Sequence, residues 1–156
     1  MFLGILVVGV LSCLVLDLWQ RVLFFCFGIS PTNWGTVGRW LILFLRTRKW
    51  IHIDLPNASE IHREVTIGWL FHYLISIVYA GLFFLLWKGG FVNTGALGGL
   101  VFGIISVIVP WFFFMPALGV GILSKRGDNP FKSCILALIA HAIYGTTIGV
   151  LMQILV

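Results

Sequence analysis

The stretch FLGILVVGVLSCLVLDLWQRVLFF, residues 2–25, decides the architecture. At about 1.5 Å of rise per residue it is long enough to cross a hydrocarbon core about 30 Å thick. Asp17 and Arg21 interrupt it one helical turn apart. A leading apolar segment can be a secretion signal, but this one lacks a basic n-region and outruns a usual h-region. Val10-Leu11-Ser12-Cys13 faintly matches a lipoprotein cleavage box, yet Leu11 fits poorly and the basic start is missing. The segment therefore reads as an uncleaved first span.

The rest of the chain has the same character. Of its 156 residues, 60% are hydrophobic and 10% charged, with mean hydropathy +1.09. Soluble domains are about 45–50% apolar and about 25% charged. Three further segments have spanning length, at about 66–87, 95–118 and 134–156. Pro110 and Pro116 should bend the third. The expected fold is all-α: a transmembrane four-helix bundle in a single integral membrane domain, residues 1–156. The net charge of +5 does not indicate nucleic acid, because most cations lie in two short segments between spans. These are loops of about 26–65, with Arg39, Arg46, Arg48, Lys49 and Arg63, and 119–133, with Lys125, Arg126 and Lys132. Basic loops stay in the cytoplasm, so both termini should face the periplasm of a bacterial inner (plasma) membrane. Trp19, Trp69 and Trp87 fall near span ends, where indoles favour the interface.

The first loop is more than a linker. Trp34, Val37, Trp40, Leu41 and Phe44 recur at helical spacing. They indicate an amphipathic helix between spans 1 and 2, either interfacial or re-entrant, with Arg39, Arg46, Arg48 and Lys49 at lipid headgroups. His52 and His62 read as solvated or placed at those headgroups. Asn57 or Ser59 is expected to cap the second span, with Glu60 and Glu64 in structural roles near its start. A sequon at Asn57-Ala58-Ser59 is empty in a cytoplasmic loop. Cys13, Cys26 and Cys134 show no pairing or metal spacing.

Without a hydrophobic drive between helices in lipid, small residues mark close contacts. Gly95, Gly99 and Gly103 in the third span, and Gly145 and Gly149 in the fourth, carry the four-residue spacing of a tightly packed helix pair. The ionisable residues extend such stripes: Asp17 follows Gly9 and Cys13, His72 precedes Ser76 and Ala80, and His141 precedes Gly145 and Gly149. By depth, the two histidines lie roughly 9–11 Å below the cytoplasmic surface. Asp17, His72 and His141 are thus expected to share one polar spot, with Arg21 pairing to Asp17 and snorkelling toward headgroups.

Several uses are open to such a cluster. It can simply join helices. Two imidazoles and a carboxylate match a facial-triad metal site, with Asp17, His72 and His141 as candidate ligands. His72 and His141 could hold one haem. Proton, ion or small-ligand handling suits histidine beside a carboxylate. No nucleophile elbow or phosphate loop is present, so an enzyme is the less favoured class, and no cofactor is assigned. The expected partners are the lipid bilayer and a second copy or membrane partner subunit, without nucleic acid.

These elements, in order, resemble a family of small bacterial membrane proteins defined only as a domain of unknown function. The resemblance rests on Asp17-Leu-Trp19, Val37-Gly38-Arg39-Trp40, Gly68-Trp69 with His72-Tyr73, Pro116 with Gly119 and Gly121, and His141-Ala142 with Gly145. Met115 departs from it, standing where that pattern has glutamine. The resemblance implies an integral inner-membrane protein with four helices and implies no activity.

Overall fold

The computed structural model describes residues 2–156. The chain runs α1 (Phe2–Phe27), α2 (Trp34–Thr47), a 3-10 turn at Leu55–Asn57, α3 (Glu64–Lys88) and α4 (Ala96–Ser106). A π turn at Pro110–Phe114 leads into α5 (Met115–Ala117), then a 3-10 turn at Ile122–Ser124 and α6 (Pro130–Leu155). No strand occurs among the described residues. Four segments are long and apolar enough to cross a membrane: α1, α3, Ala96–Ala117 and α6.

Local chemistry sets the ends of these helices. Gly28, at φ 65°, stops α1, and its N–H donates to the Phe24 carbonyl. α2 opens on Asn33, whose side chain accepts from the Thr36 N–H. The fourth span begins earlier than expected because Asn129 accepts from the Lys132 N–H and Pro130 sits in the first turn, where no N–H is needed. α3 is not capped by Asn57 or Ser59, which precede it in the 3-10 turn and the following link. The Glu64 carboxylate instead reaches back to accept from the Ile61 N–H. In the third span Pro110 cannot donate to the Ser106 carbonyl, and α4 ends at Ser106. The expected bend takes the form of a π turn, closed by the Met115 N–H on the Pro110 carbonyl.

The chain forms two compact units, and α3 and α6 each contribute to both. The first comprises residues 1–32, 73–106 and 138–156. It holds α1 and α4 with most of α3 and α6, around a core of Val8, Ala80, Phe83, Phe102, Ile148 and Met152. Leu3, Leu18, Leu74, Leu85, Leu97 and Ile105 point outward, as expected where the surroundings are themselves apolar. α4 and α6 meet backbone to backbone. A methyl group built on Gly149 would lie 2.7 Å from the Gly99 Cα, and one on Gly145 2.5 Å from the Gly103 Cα. The Gly95 N–H donates to the Gly149 carbonyl at 2.8 Å. No larger residue fits these positions without moving main chain.

The second unit comprises residues 33–72 and 107–137. Its core is Trp40, Leu55 and Ala117, flanked by Leu41, Phe44, Phe71 and Phe114. Here α2 crosses the start of α3 at Gly38 and Gly68: a methyl group on Gly38 would lie 2.7 Å from the Gly68 nitrogen. The unit also contains eight of the ten Lys and Arg residues: Arg39, Arg46, Arg48, Lys49, Arg63, Lys125, Arg126 and Lys132.

Gly99→Ala and Gly145→Ala should each destabilise the protein by about 1–3 kcal/mol, the usual cost of overpacking. Gly81→Ala should be close to neutral, since its nearest neighbour, a methyl of Ile5, lies 4.0 Å from the added carbon. Thermal unfolding in detergent, followed by circular dichroism, measures the difference; equal melting temperatures for all three variants would contradict it.

Candidate functional site

α1 faces the first unit with Val8, Gly9, Ser12 and Cys13, all buried, and with half-buried Asp17 one turn further on. α3 buries Ser76 and Ala80. Along these faces runs a column of polar groups. The Ser76 hydroxyl donates to the Gly9 carbonyl at 2.6 Å. The Tyr144 hydroxyl, from α6, lies 2.8 Å from the Ser76 Oγ and 2.9 Å from the Ser76 carbonyl. Since the Ser76 proton is committed to Gly9, Tyr144 donates, and its one proton is shared between the two Ser76 oxygens. The buried Cys13 thiol interacts with the Ser76 hydroxyl. At the end of the column the Tyr73 hydroxyl donates to an Asp17 carboxylate oxygen at 3.1 Å. Ser12 Oγ is buried with no hydrogen-bond partner among the described residues.

The carboxylate of Asp17 is therefore held from α3 by a tyrosine, while Arg21, one turn along α1, is exposed. Tyr73, Ser76 and Tyr144 were not singled out as site residues from sequence. Their signal was chemical: a hydroxyl inside an apolar span must find an acceptor. In the sequence Ser76 reads only as a small residue in a stripe.

His141 also lies in the first unit, half-buried on α6. Its Nδ1 is 2.8 Å from the Ser106 hydroxyl, which donates in turn to the Gly103 carbonyl at 2.8 Å. With the Ser106 proton so used, Nδ1–H is the donor to Ser106, which orients the imidazole ring. The Tyr79 ring packs edge-on against the imidazole, with centroids 6.2 Å apart.

His72 is buried on α3 and belongs to the second unit. Its ring stacks on Trp34 with centroids 3.8 Å apart and planes 23° apart. Trp69 closes the group edge-on at 5.7 Å from His72. Trp34 reaches it from the first turn of α2, which the crossing at Gly38 and Gly68 brings close to α3.

Arg39 differs from its expected place at the headgroups. It is 7% exposed and points into the second unit. Its Nε donates to one Glu64 carboxylate oxygen and its Nη2 to the other, each at 2.7 Å. Nη1 serves the carbonyls of Leu55 and Ala58. These four acceptors take up the planar fork that lysine lacks. The bond to Glu64 raises the Arg39 pKa above the ordinary arginine value, with desolvation opposing it. Arg39 is thus a structural clamp, joining α2, the 55–58 turn and the start of α3. Arg46, Arg48 and Lys49 are exposed. His52 has its Nε2 buried with no partner among the described residues, whereas His62 is exposed beside Arg63.

Breaking a buried ion pair leaves a charge unmatched and costs about 3–5 kcal/mol. Arg39→Met and Glu64→Gln should each lose about that much stability, and Arg39→Lys should recover little of it. Guanidinium or thermal unfolding of the detergent-solubilised protein measures this; a lysine variant as stable as the parent would show that the fork geometry is immaterial.

The sequence pattern of the family described as "Protein of unknown function (DUF2938)" matches residues 6–155. No curated protein and no solved structure matches the chain. The match runs through all four apolar helices and both units, and the chain belongs to this DUF2938 family.

Proposed function

We propose that this chain is a non-enzymatic multi-pass component of a bacterial inner membrane, which takes a proton or small cation at Asp17. The observation that carries the reading is the pairing of Asp17 with Tyr73 at the end of a polar column built from α1, α3 and α6. Asp17 is the one acidic residue in the first unit. A charge within a bilayer costs several kcal/mol or more and marks function more often than structure. Interhelical hydrogen bonds average about 0.6 kcal/mol, too little to repay that cost alone. The unsatisfied Ser12 hydroxyl adds spare hydrogen-bonding capacity to the same face of α1.

His141 and His72 are the further groups through which a proton or ligand would be handled. Ser106 orients the first and the Trp34 ring the second. The cytoplasmic placement of the second unit's cations, with both termini periplasmic, follows the positive-inside rule. The bilayer is its solvent, and a second copy or a membrane subunit would complete any path across it.

Infrared difference spectroscopy of the full chain in lipid nanodiscs tests this. On stepping the pH, or adding sodium or zinc at fixed pH, a carboxyl band should change and should be absent in Asp17→Asn. Tyr73→Phe, which removes one hydrogen bond, should shift that band while the protein remains folded. If no band depends on Asp17 under any of these conditions, and Asp17→Asn only weakens assembly, the residue joins helices and binds nothing.

A further inference from the structure

The segment that leaves α2 is unusual for a connecting loop. Arg46, Arg48 and Lys49 place three cations within four residues. They are followed by Trp50, 38% exposed, with Ile51 and Ile53 at 48% and 57%. Leu45, just before them, is 56% exposed. Asp54, at the far end, is the nearest acid along the sequence. All of these lie in the second unit.

The oily side chains are not outward because the loop is loose. Arg48, at φ 58°, ends α2, and its N–H donates to the Phe44 carbonyl. The Thr47 hydroxyl donates to Leu43 and accepts from the Lys49 N–H. The Trp40 indole N–H donates to the Trp50 carbonyl at 2.8 Å. The His52 N–H donates to Ala117, and Leu55, 1% exposed, anchors the far end in the core. Gly119 packs so closely that an added methyl group would lie 2.6 Å from the His52 carbonyl oxygen. A backbone tied down at this many points leaves Ile51 and Ile53 exposed next to three cations, and Trp50, whose ring packs on Phe113 with centroids 4.8 Å apart, partly so.

Apolar groups displayed this way mark an interaction surface. An indole beside arginine and lysine suits the headgroup level of a bilayer, where aromatic rings settle and cations meet phosphates. We infer that residues 45–53 form a recognition surface for anionic phospholipid: Arg46, Arg48 and Lys49 bind headgroup phosphates while Trp50, Ile51 and Ile53 enter the boundary of the acyl chains. Arg39, engaged by Glu64, takes no part. The inference extends beyond ligand handling at Asp17 and stands apart from it.

The experiment uses the purified full chain equilibrated with vesicles of phosphatidylcholine and phosphatidylglycerol at 3:1, followed by analysis of the lipid retained. The parent should enrich phosphatidylglycerol severalfold over its bulk share. R46Q/R48Q/K49Q should bring the retained share back close to that of the bulk vesicle, since each cation near an anionic surface contributes to attraction. K125Q/R126Q/K132Q should leave most of it. Trp50→Phe, which keeps an aromatic ring, should remove part of the tryptophan emission quenched by brominated phosphatidylglycerol. The inference is overturned if the parent shows no preference, if the 46–49 variant retains it, or if Trp50 contributes nothing to the quenching; the last measurement decides the matter should the triple variant fail to fold.

Discussion

A helix surrounded by hydrocarbon gains nothing by hiding its leucines, so contact must come from atoms that approach more closely than lipid can. In the first unit that contact is made by main chain. Gly99, Gly103, Gly145 and Gly149 let α4 and α6 touch without side chains between them, and the Gly95 N–H bonds to the Gly149 carbonyl across the gap. Dispersion between closely packed backbones replaces the hydrophobic effect here. The other elements of the unit are joined in a second way. Ser76 bonds to Gly9 and Tyr144, so two hydroxyls serve three helices. Both devices are short-range, and both demand a fixed register along the helix axes.

The second unit solves a different problem with charge. Its loops must expose main-chain carbonyls while packing against an apolar helix. Arg39 meets that demand by bonding to Leu55, Ala58 and both oxygens of Glu64. Glu64 in turn accepts the Ile61 N–H ahead of α3. One ion pair therefore closes a helix start, a turn and a crossing together. Desolvating the two charges costs several kcal/mol, which full hydrogen bonding offsets.

The sequence made one class of feature legible and concealed another. Apolar length and the placement of cations are properties of segments, so the four helices are legible in the sequence itself. Gly99 and Gly145 were readable because close approach demands glycine at a repeat of four. The positions of α3 and α6 along the chain were less clear, since Asn129 and Glu64 act as caps only in a particular local geometry. Nothing in the local sequence of Arg39 distinguishes it from Arg46; only the fold, by bringing Glu64 to it from twenty-five residues away, separates a buried cation from exposed ones. Asp17 drew notice as an acid in an oily helix. Its partner Tyr73 did not, because an aromatic side chain in a span is common and only contact reveals its hydroxyl's use.

The pairing of Gly99 with Gly145 also bears on how the protein is made. The two glycines belong to the third and fourth spans, and the fourth is synthesised after the third. Until it arrives, α4 carries a bare strip of peptide backbone that no earlier part of the nascent chain covers in this way. The backbone strip of α4 thus gains its contacts only once α6 has been made, and the seam between them closes late in assembly.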